Sequence, residues 1–231
     1  MPRNNNNFWL ASWIANFDKN HQPPAPPNPC PTIAFNTVAK AEYKSEAESA
    51  IQLQFANHAW LTSMTLNLIF VNTQPQISAS AAKLAETAQK ITDAIRVFYI
   101  PANATVTDNV QTALTNHIST ASAYAGAVKQ YGLSSSEAST AQTNFTNQAT
   151  ELATALTALD CSVDYAHMLE HWQTHNQCVI DIVALVYNGV DDPVTYPNNF
   201  NLAMDTILEY VTENDHMAMQ IADAVATHHY R

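Results

Sequence analysis

Nine histidines are distributed through the 231 residues, and their spacing is the chemically richest feature of the chain. The segment Asp164-Tyr-Ala-His167-Met-Leu-Glu170-His171-Trp-Gln-Thr-His175-Asn-Gln-Cys178 sets three imidazoles four residues apart. On a helix these share one face over two turns. Rings at i and i+4, with Cβ atoms roughly 5–6 Å apart, can hold one metal ion between them. Asp164 and Cys178 continue the stripe and are themselves ligand types. The competing reading is a solvated polar stripe, or aromatic contact with Tyr165 and Trp172. Further on, Glu213-Asn-Asp-His216 places a carboxylate and an imidazole at i,i+3. That is the spacing by which carboxylate-bridged dimetal bundles present two ligands from one helical face. Asp205, Glu209, Thr212 and Asp223 lie along the same side. Ferritin-like sites need two such pairs plus glutamates from other helices. Only one pair is present, and the candidate inward carboxylates Glu48, Glu86 and Glu137 are not placed beside the remaining histidines. A histidine-rich centre with one or two carboxylates fits better. Its ligand softness suits iron, zinc or copper without choosing among them.

These side chains need helices to position them, and the sequence is helical throughout its larger part. Ile51, Phe55, His58, Thr62, Leu66 and Ile69 recur at three- and four-residue steps, as do Val110, Leu114, His117, Ala121, Tyr124 and Val128. Both histidines therefore belong to faces that point inward. A lone histidine on such a face is ordinarily a satisfied core residue, but two at equivalent places strengthen a ligand reading. Helices are expected over about 45–71, 76–99, 108–131, 137–159, 163–189 and 199–229. Gly132 and Gly189 stop two of them, and the capping box Ser134-Ser-Ser-Glu137 opens the fourth. Alternating β patterns of any length are absent. The fold class is all-α, an up-down bundle of about six helices.

A repeat underlies the pattern. Asn57-His58, Asn116-His117 and Glu170-His171 each fall in the first helix of a hairpin of about 55 residues, giving three hairpins. The expected centre has His58, His117, His171 and His216 as ligands, converging on one point. Glu170, His175 and Glu213 serve as additional ligands, or accept the other ring N–H and so fix the tautomers. Whether a coordination position stays open decides between oxygen or redox chemistry and a purely structural ion. Bis-histidine haem ligation, with Met204, Met217 and Met219 as spare axial groups, is the less favoured cofactor.

The segments Phe55-Ala-Asn-His58-Ala-Trp-Leu-Thr-Ser-Met64, Leu114-Thr-Asn-His117, Met168-Leu-Glu-His171 and His216-Met-Ala-Met-Gln-Ile-Ala-Asp223 are similar to an uncharacterised family of small bacterial helical proteins. That family carries a repeated Glu-His motif on a bundle of ferritin or hemerythrin type. The resemblance spans about residues 48–226 and implies that His58, His117, His171 and His216 act as a set. It implies no particular reaction. Asn57 and Asn116 stand where the family tends to have an acid.

Composition bounds the rest. Apolar residues make up 47% and charged residues only 13%, against about 25% charged in an ordinary soluble domain. Nine Lys+Arg against twenty Asp+Glu give a net charge of −11. A nucleic-acid partner is excluded by the lack of a basic face. No run approaches the roughly 18 apolar residues of a membrane span. There is no GxSxG, P-loop or dinucleotide fingerprint, and three glycines preclude most phosphate-cradling loops. Cys30, Cys161 and Cys178 form no CxxC and indicate neither a disulfide framework nor a zinc knuckle. Met1 to Phe17 has one Arg and a short apolar stretch broken by Asn and Ser, with no convincing cleavage site, so a cytoplasmic location is the default. The sequons at Asn103 and Asn144 matter only if the chain is exported, and an extracellular or particle-associated location is left open. Most prolines crowd into His21-Gln-Pro-Pro-Ala-Pro-Pro-Asn-Pro-Cys-Pro31, an extended arm. It follows an amphipathic segment with Trp9, Trp13 and Phe17 at four-residue spacing. Residues 1–37 are thus an arm and 38–231 the bundle. The arm together with the weakly charged surface motivates the alternative, a non-catalytic assembly protein that self-associates through arm docking on neighbouring subunits.

Overall fold

A computed structural model describes residues 37–71, 74–99, 105–189 and 197–229. The N-terminal arm, Thr37 apart, lies outside the described residues. The helices are α1 (Thr37–Val71), α2 (Gln74–Phe98), α3 (Thr105–Tyr131), α4 (Ser136–Thr157), α5 (Tyr165–Tyr187) and α6 (Pro197–His229). Each packs on its neighbours in the chain, and α1 also packs along α6, which closes a ring. Inside the ring α1, α3 and α5, the first helices of the three hairpins, touch one another. No helix among the described residues is long and apolar enough to cross a membrane.

Buried residues fall on single stripes: Ala47, Ile51, Phe55, His58, Thr62 and Leu66 on α1, and Val110, Leu114, His117, Ala121, Tyr124 and Val128 on α3. Burial of these stripes, at about 25 cal/mol per Å² of apolar surface, is what makes the helices stable. The many Ser and Thr residues are poor helix formers because their hydroxyls compete for backbone partners. Here they bond back to the preceding turn, as Thr112 Oγ1 does to Asp108 O at 2.9 Å, Thr140 Oγ1 to Ser136 O at 2.8 Å and Thr154 Oγ1 to Thr150 O at 2.7 Å. A hydroxyl satisfied within its own helix leaves the ladder intact.

Two boundaries differ from expectation, each for a local reason. Helix α1 begins at Thr37 rather than near Ser45. Its extra turns are held by tertiary contacts: Lys40 Nζ donates to Thr227 Oγ1 at 2.9 Å, and Tyr43 stacks on His229 and meets Phe98 edge-on. The cap of α4 is Ser135, not Ser134. Its Oγ accepts from the Ala138 N–H at 3.1 Å, while Glu137 takes the Ser136 hydroxyl instead. The offset follows from Gly132, whose N–H closes α3 on Val128 O and whose φ of +89° reverses the chain early. Cys161, between α4 and α5, is disulfide-bonded, contrary to the expectation drawn from the cysteine spacing. Cys178 is free and buried.

Gly132→Ala should destabilise the protein by about 1 kcal/mol or more, measured by urea unfolding. An L side chain resists this left-handed conformation, and its Cβ would stand 3.3 Å from Tyr187 Oη.

Candidate metal centre

The apolar core is divided into two clusters. One contains Phe55, Leu114, Ile118 and Trp172, and the other contains Ala59, Ala121 and Val179. Between them lies a polar layer made by His58 of α1, His117 of α3 and His175 of α5, exposed by 2%, 2% and 0%. Each inner helix of the ring thus contributes one imidazole. Their ring centroids are 5.0 Å apart for His117 and His175, 6.0 Å for His58 and His175, and 6.1 Å for His58 and His117. One ring nitrogen from each can be chosen so that all three lie within 4.8 Å of one another. Tetrahedral zinc bound at about 2.0–2.1 Å holds its ligand nitrogens roughly 3.3 Å apart. His117 Nε2 and His175 Nε2 already stand at 3.2 Å. The triad could hold a metal ion after a small inward movement of His58.

The second helices of the hairpins orient these rings. On α2, Thr87 Oγ1 donates to Leu84 O at 2.6 Å and so accepts from His58 Nδ1–H at 3.0 Å. His58 Nε2 is left as a bare lone pair, buried and without a partner. On α6, Asn214 Nδ2 donates to Tyr210 O at 2.7 Å and faces His175 Nδ1 at 3.4 Å. His175 Nδ1 is then the acceptor, and its Nε2–H points at His117 Nε2. His117 Nδ1 carries the remaining proton and has no partner. Thr62 Oγ1, Trp172 Nε1, Tyr210 Oη and Asn214 Oδ1 are buried without well-formed hydrogen bonds as well. The Tyr210 ring packs on His175 at 4.6 Å, and its hydroxyl lies beside Thr62 and Asn214. So many unsatisfied polar groups in one place are rare in a folded core, where most buried polar atoms are paired.

Burial sets the charge state. It lowers the His58 pKa from 6.5 to about 4. Burial, and then repulsion from the neighbouring imidazoles, holds His117 and His175 well below their ordinary value. All three are therefore neutral near pH 7, the form in which a ring nitrogen can bind a metal. Cys178, expected as a further ligand type, is outside the cluster. Burial, with Glu209 and Asp181 adding repulsion, pushes its thiol up to about 12, so it stays an unreactive thiol.

The expected convergence of His58, His117, His171 and His216 on one point is not what the structure shows. His58 and His117 meet His175 in the core, whereas His171 and His216 join Glu213 in a second group at the α5–α6 surface. There His171 Nδ1 bonds Glu213 Oε2 at 2.6 Å, and His216 Nδ1 lies 3.8 Å from Glu213 Oε1. Glu170 is exposed and belongs to neither group. The repeat was legible one turn out of place. His58, His117 and His175 stand 59 and 58 residues apart, a more even period than the one ending at His171. Thr87, Tyr210 and Asn214 carry no comparable sequence signal, since a lone Thr, Tyr or Asn on a helix is ordinary.

The chain matches no protein-family model, no curated protein and no solved structure.

The neutral triad makes stability depend on pH in a defined direction. The unfolded histidines take up protons below 6.5 and the buried rings do not, so stability falls as pH drops from 6.5 towards 4. His58 alone accounts for about 3 kcal/mol over that window. Urea unfolding in chelator at a series of pH values should show the loss, and His58→Gln should remove the His58 share while that of His117 and His175 stays.

Proposed function

We propose that this protein binds a transition-metal ion among His58 Nε2, His117 Nε2 and His175 Nε2. The observation that carries the reading is the meeting of three neutral, inward-facing imidazoles from three hairpins, one of them with an orphaned lone pair. For all three Nε2 atoms to act as ligands, His175 must move its proton to Nδ1. Asn214 Nδ2, held by the Tyr210 carbonyl at 2.7 Å, then gives up its 3.4 Å contact with that ring. Thr87 already fixes the matching tautomer of His58. Such outer hydrogen bonds orient ligands and raise their basicity.

Three neutral ligands do not offset the charge of a buried divalent ion, and an uncompensated charge in a core is costly. The site therefore favours copper in its monovalent state, or zinc or iron accompanied by an anionic fourth ligand. The Tyr210 hydroxyl, beside Thr62 and on a ring that packs against His175, is the group that would hydrogen-bond such a ligand. Burial keeps the Tyr210 phenol protonated, so it acts there as a donor. A bound ion would supply Lewis-acid or redox chemistry at this open position. Haem fits poorly: Trp172 lies 5.3 and 5.0 Å from His117 and His175, and Phe145 lies 5.2 Å from His117. These rings fill the space a porphyrin would need.

Metal analysis of the untagged full chain should find about one equivalent of copper, zinc or iron retained through gel filtration. Zinc or copper at 100-fold above its dissociation constant stabilises by about 2.7 kcal/mol, a Tm rise of roughly 5–10 °C for a chain of this size. His117→Ala should abolish both effects. A folded wild-type protein that retains no metal and melts unchanged in chelator and in metal contradicts the reading.

A second reading, self-assembly without catalysis, rests on the seam between α1 and α6. Lys40 bonds Thr227 and Gln52 bonds Asp215, which sets the two helices antiparallel. Along them Leu53, Trp60, Met64, Met204, Leu208 and Val211 are exposed, Trp60 by 71%. Exposed apolar side chains gathered on two adjoining helices are a recurrent mark of protein association. Light scattering should give a multiple of 25.4 kDa that falls on Trp60→Lys or on deletion of residues 1–31. A monomer in all three proteins contradicts self-assembly.

A further inference from the structure

We infer that α5 carries a second, solvent-accessible metal site, a bis-histidine clamp formed by His167 and His171. The two residues are at i,i+4, their ring centroids lie 4.5 Å apart and their Nε2 atoms face each other at 3.1 Å. That separation is close to the roughly 3.3 Å between two nitrogens on one tetrahedral ion. No backbone rearrangement is needed to admit one.

The far side of each ring is already engaged. His171 Nδ1 donates to Glu213 Oε2 at 2.6 Å, which directs its Nε2 lone pair at His167. Glu213 is itself only 15% exposed in its side chain, so its carboxylate is a fixed acceptor rather than a waving surface group. This is the carboxylate–histidine arrangement that raises the basicity of a metal ligand. His167 Nδ1 faces Gln220 at 3.2 Å. Turning the Gln220 amide lets its oxygen accept the Nδ1–H that His167 carries once its Nε2 is bound. His216, whose ring lies 5.5 Å from that of His171, stands within reach as a further ligand. Water completes the coordination, because His167 and His216 are exposed.

The ligand class is a borderline divalent ion, zinc, nickel or copper(II), for which imidazole is well suited. The site shares the plan of the core triad, an amide on α6 facing one imidazole and that imidazole facing another, but is built from different residues. It does not require that the triad bind metal.

The test is zinc titration of the chelator-treated full chain by calorimetry, with wild type, His167→Ala, Glu213→Gln and His117→Ala compared. The wild type should show a class of sites that His167→Ala removes and His117→Ala leaves. Glu213→Gln, which keeps the shape but weakens the acceptor, should lower the affinity of that class about 10-fold. If the triad does not bind metal, the wild type shows this class alone, still lost in His167→Ala, and the inference stands without the reading above. Zinc binding identical in wild type and His167→Ala, or no zinc bound by any of the four proteins, overturns it.

Discussion

A polar layer cannot be laid across the middle of a helical core unless every group in it finds a partner or stays uncharged, and the layer of His58, His117 and His175 meets this condition only in part. Burial keeps the three rings neutral, which removes the largest penalty. Thr87 and Asn214 then satisfy one nitrogen on each of two rings, and His117 and His175 satisfy each other. What remains on the three rings, a lone pair on His58 and an N–H on His117, is buried without a partner. The ring of six helices is arranged around this layer. The inner helices carry the imidazoles, and α2 and α6 carry the groups that aim them.

The apolar clusters above and below make the layer rigid. Trp172 against His117 and His175, Phe145 against His117 and Tyr210 against His175 hold the imidazoles by ring contacts of 4.6–5.3 Å. A metal site built this way would gain precision from packing rather than from a loop. The same enclosure would admit an ion only when the helices open locally, since the three rings are almost wholly shielded from solvent. The clamp proposed on α5 is the opposite case, with His167 open to solvent and its two imidazoles one turn apart.

The low charge of the chain finds its explanation in the surface as well as in the core. Exposed threonine hydroxyls fold back on their own helices, and ion pairs such as Lys83 with Glu86 and Arg96 with Asp108 lie at the surface. Pairs of that kind contribute little to stability. The helices are held by burial of their inner stripes. Large apolar side chains left exposed include Trp60 and Leu208 on α1 and α6 and Val97 on α2.

Periodicity alone determined a large share of this protein. Apolar steps of three and four residues and the stops at Gly132 and Gly189 announce six helices, because helix formation is governed by local chain geometry and by which face can be buried. The same steps place His58 and His117 inside. What they could not determine is which of His171 and His175 joins them. The two residues differ by one turn and about 40° around the same helix, and a sequence stripe does not resolve that difference. The packing of α5 against α1, α3 and α6 does. It turns His175 inward between Trp172 and Val179 and leaves His171 to Glu213 at the rim. Thr87, Tyr210 and Asn214 were equally invisible, because a hydrogen bond between helices far apart in the chain depends on how those helices are set against each other, and only the tertiary structure fixes that.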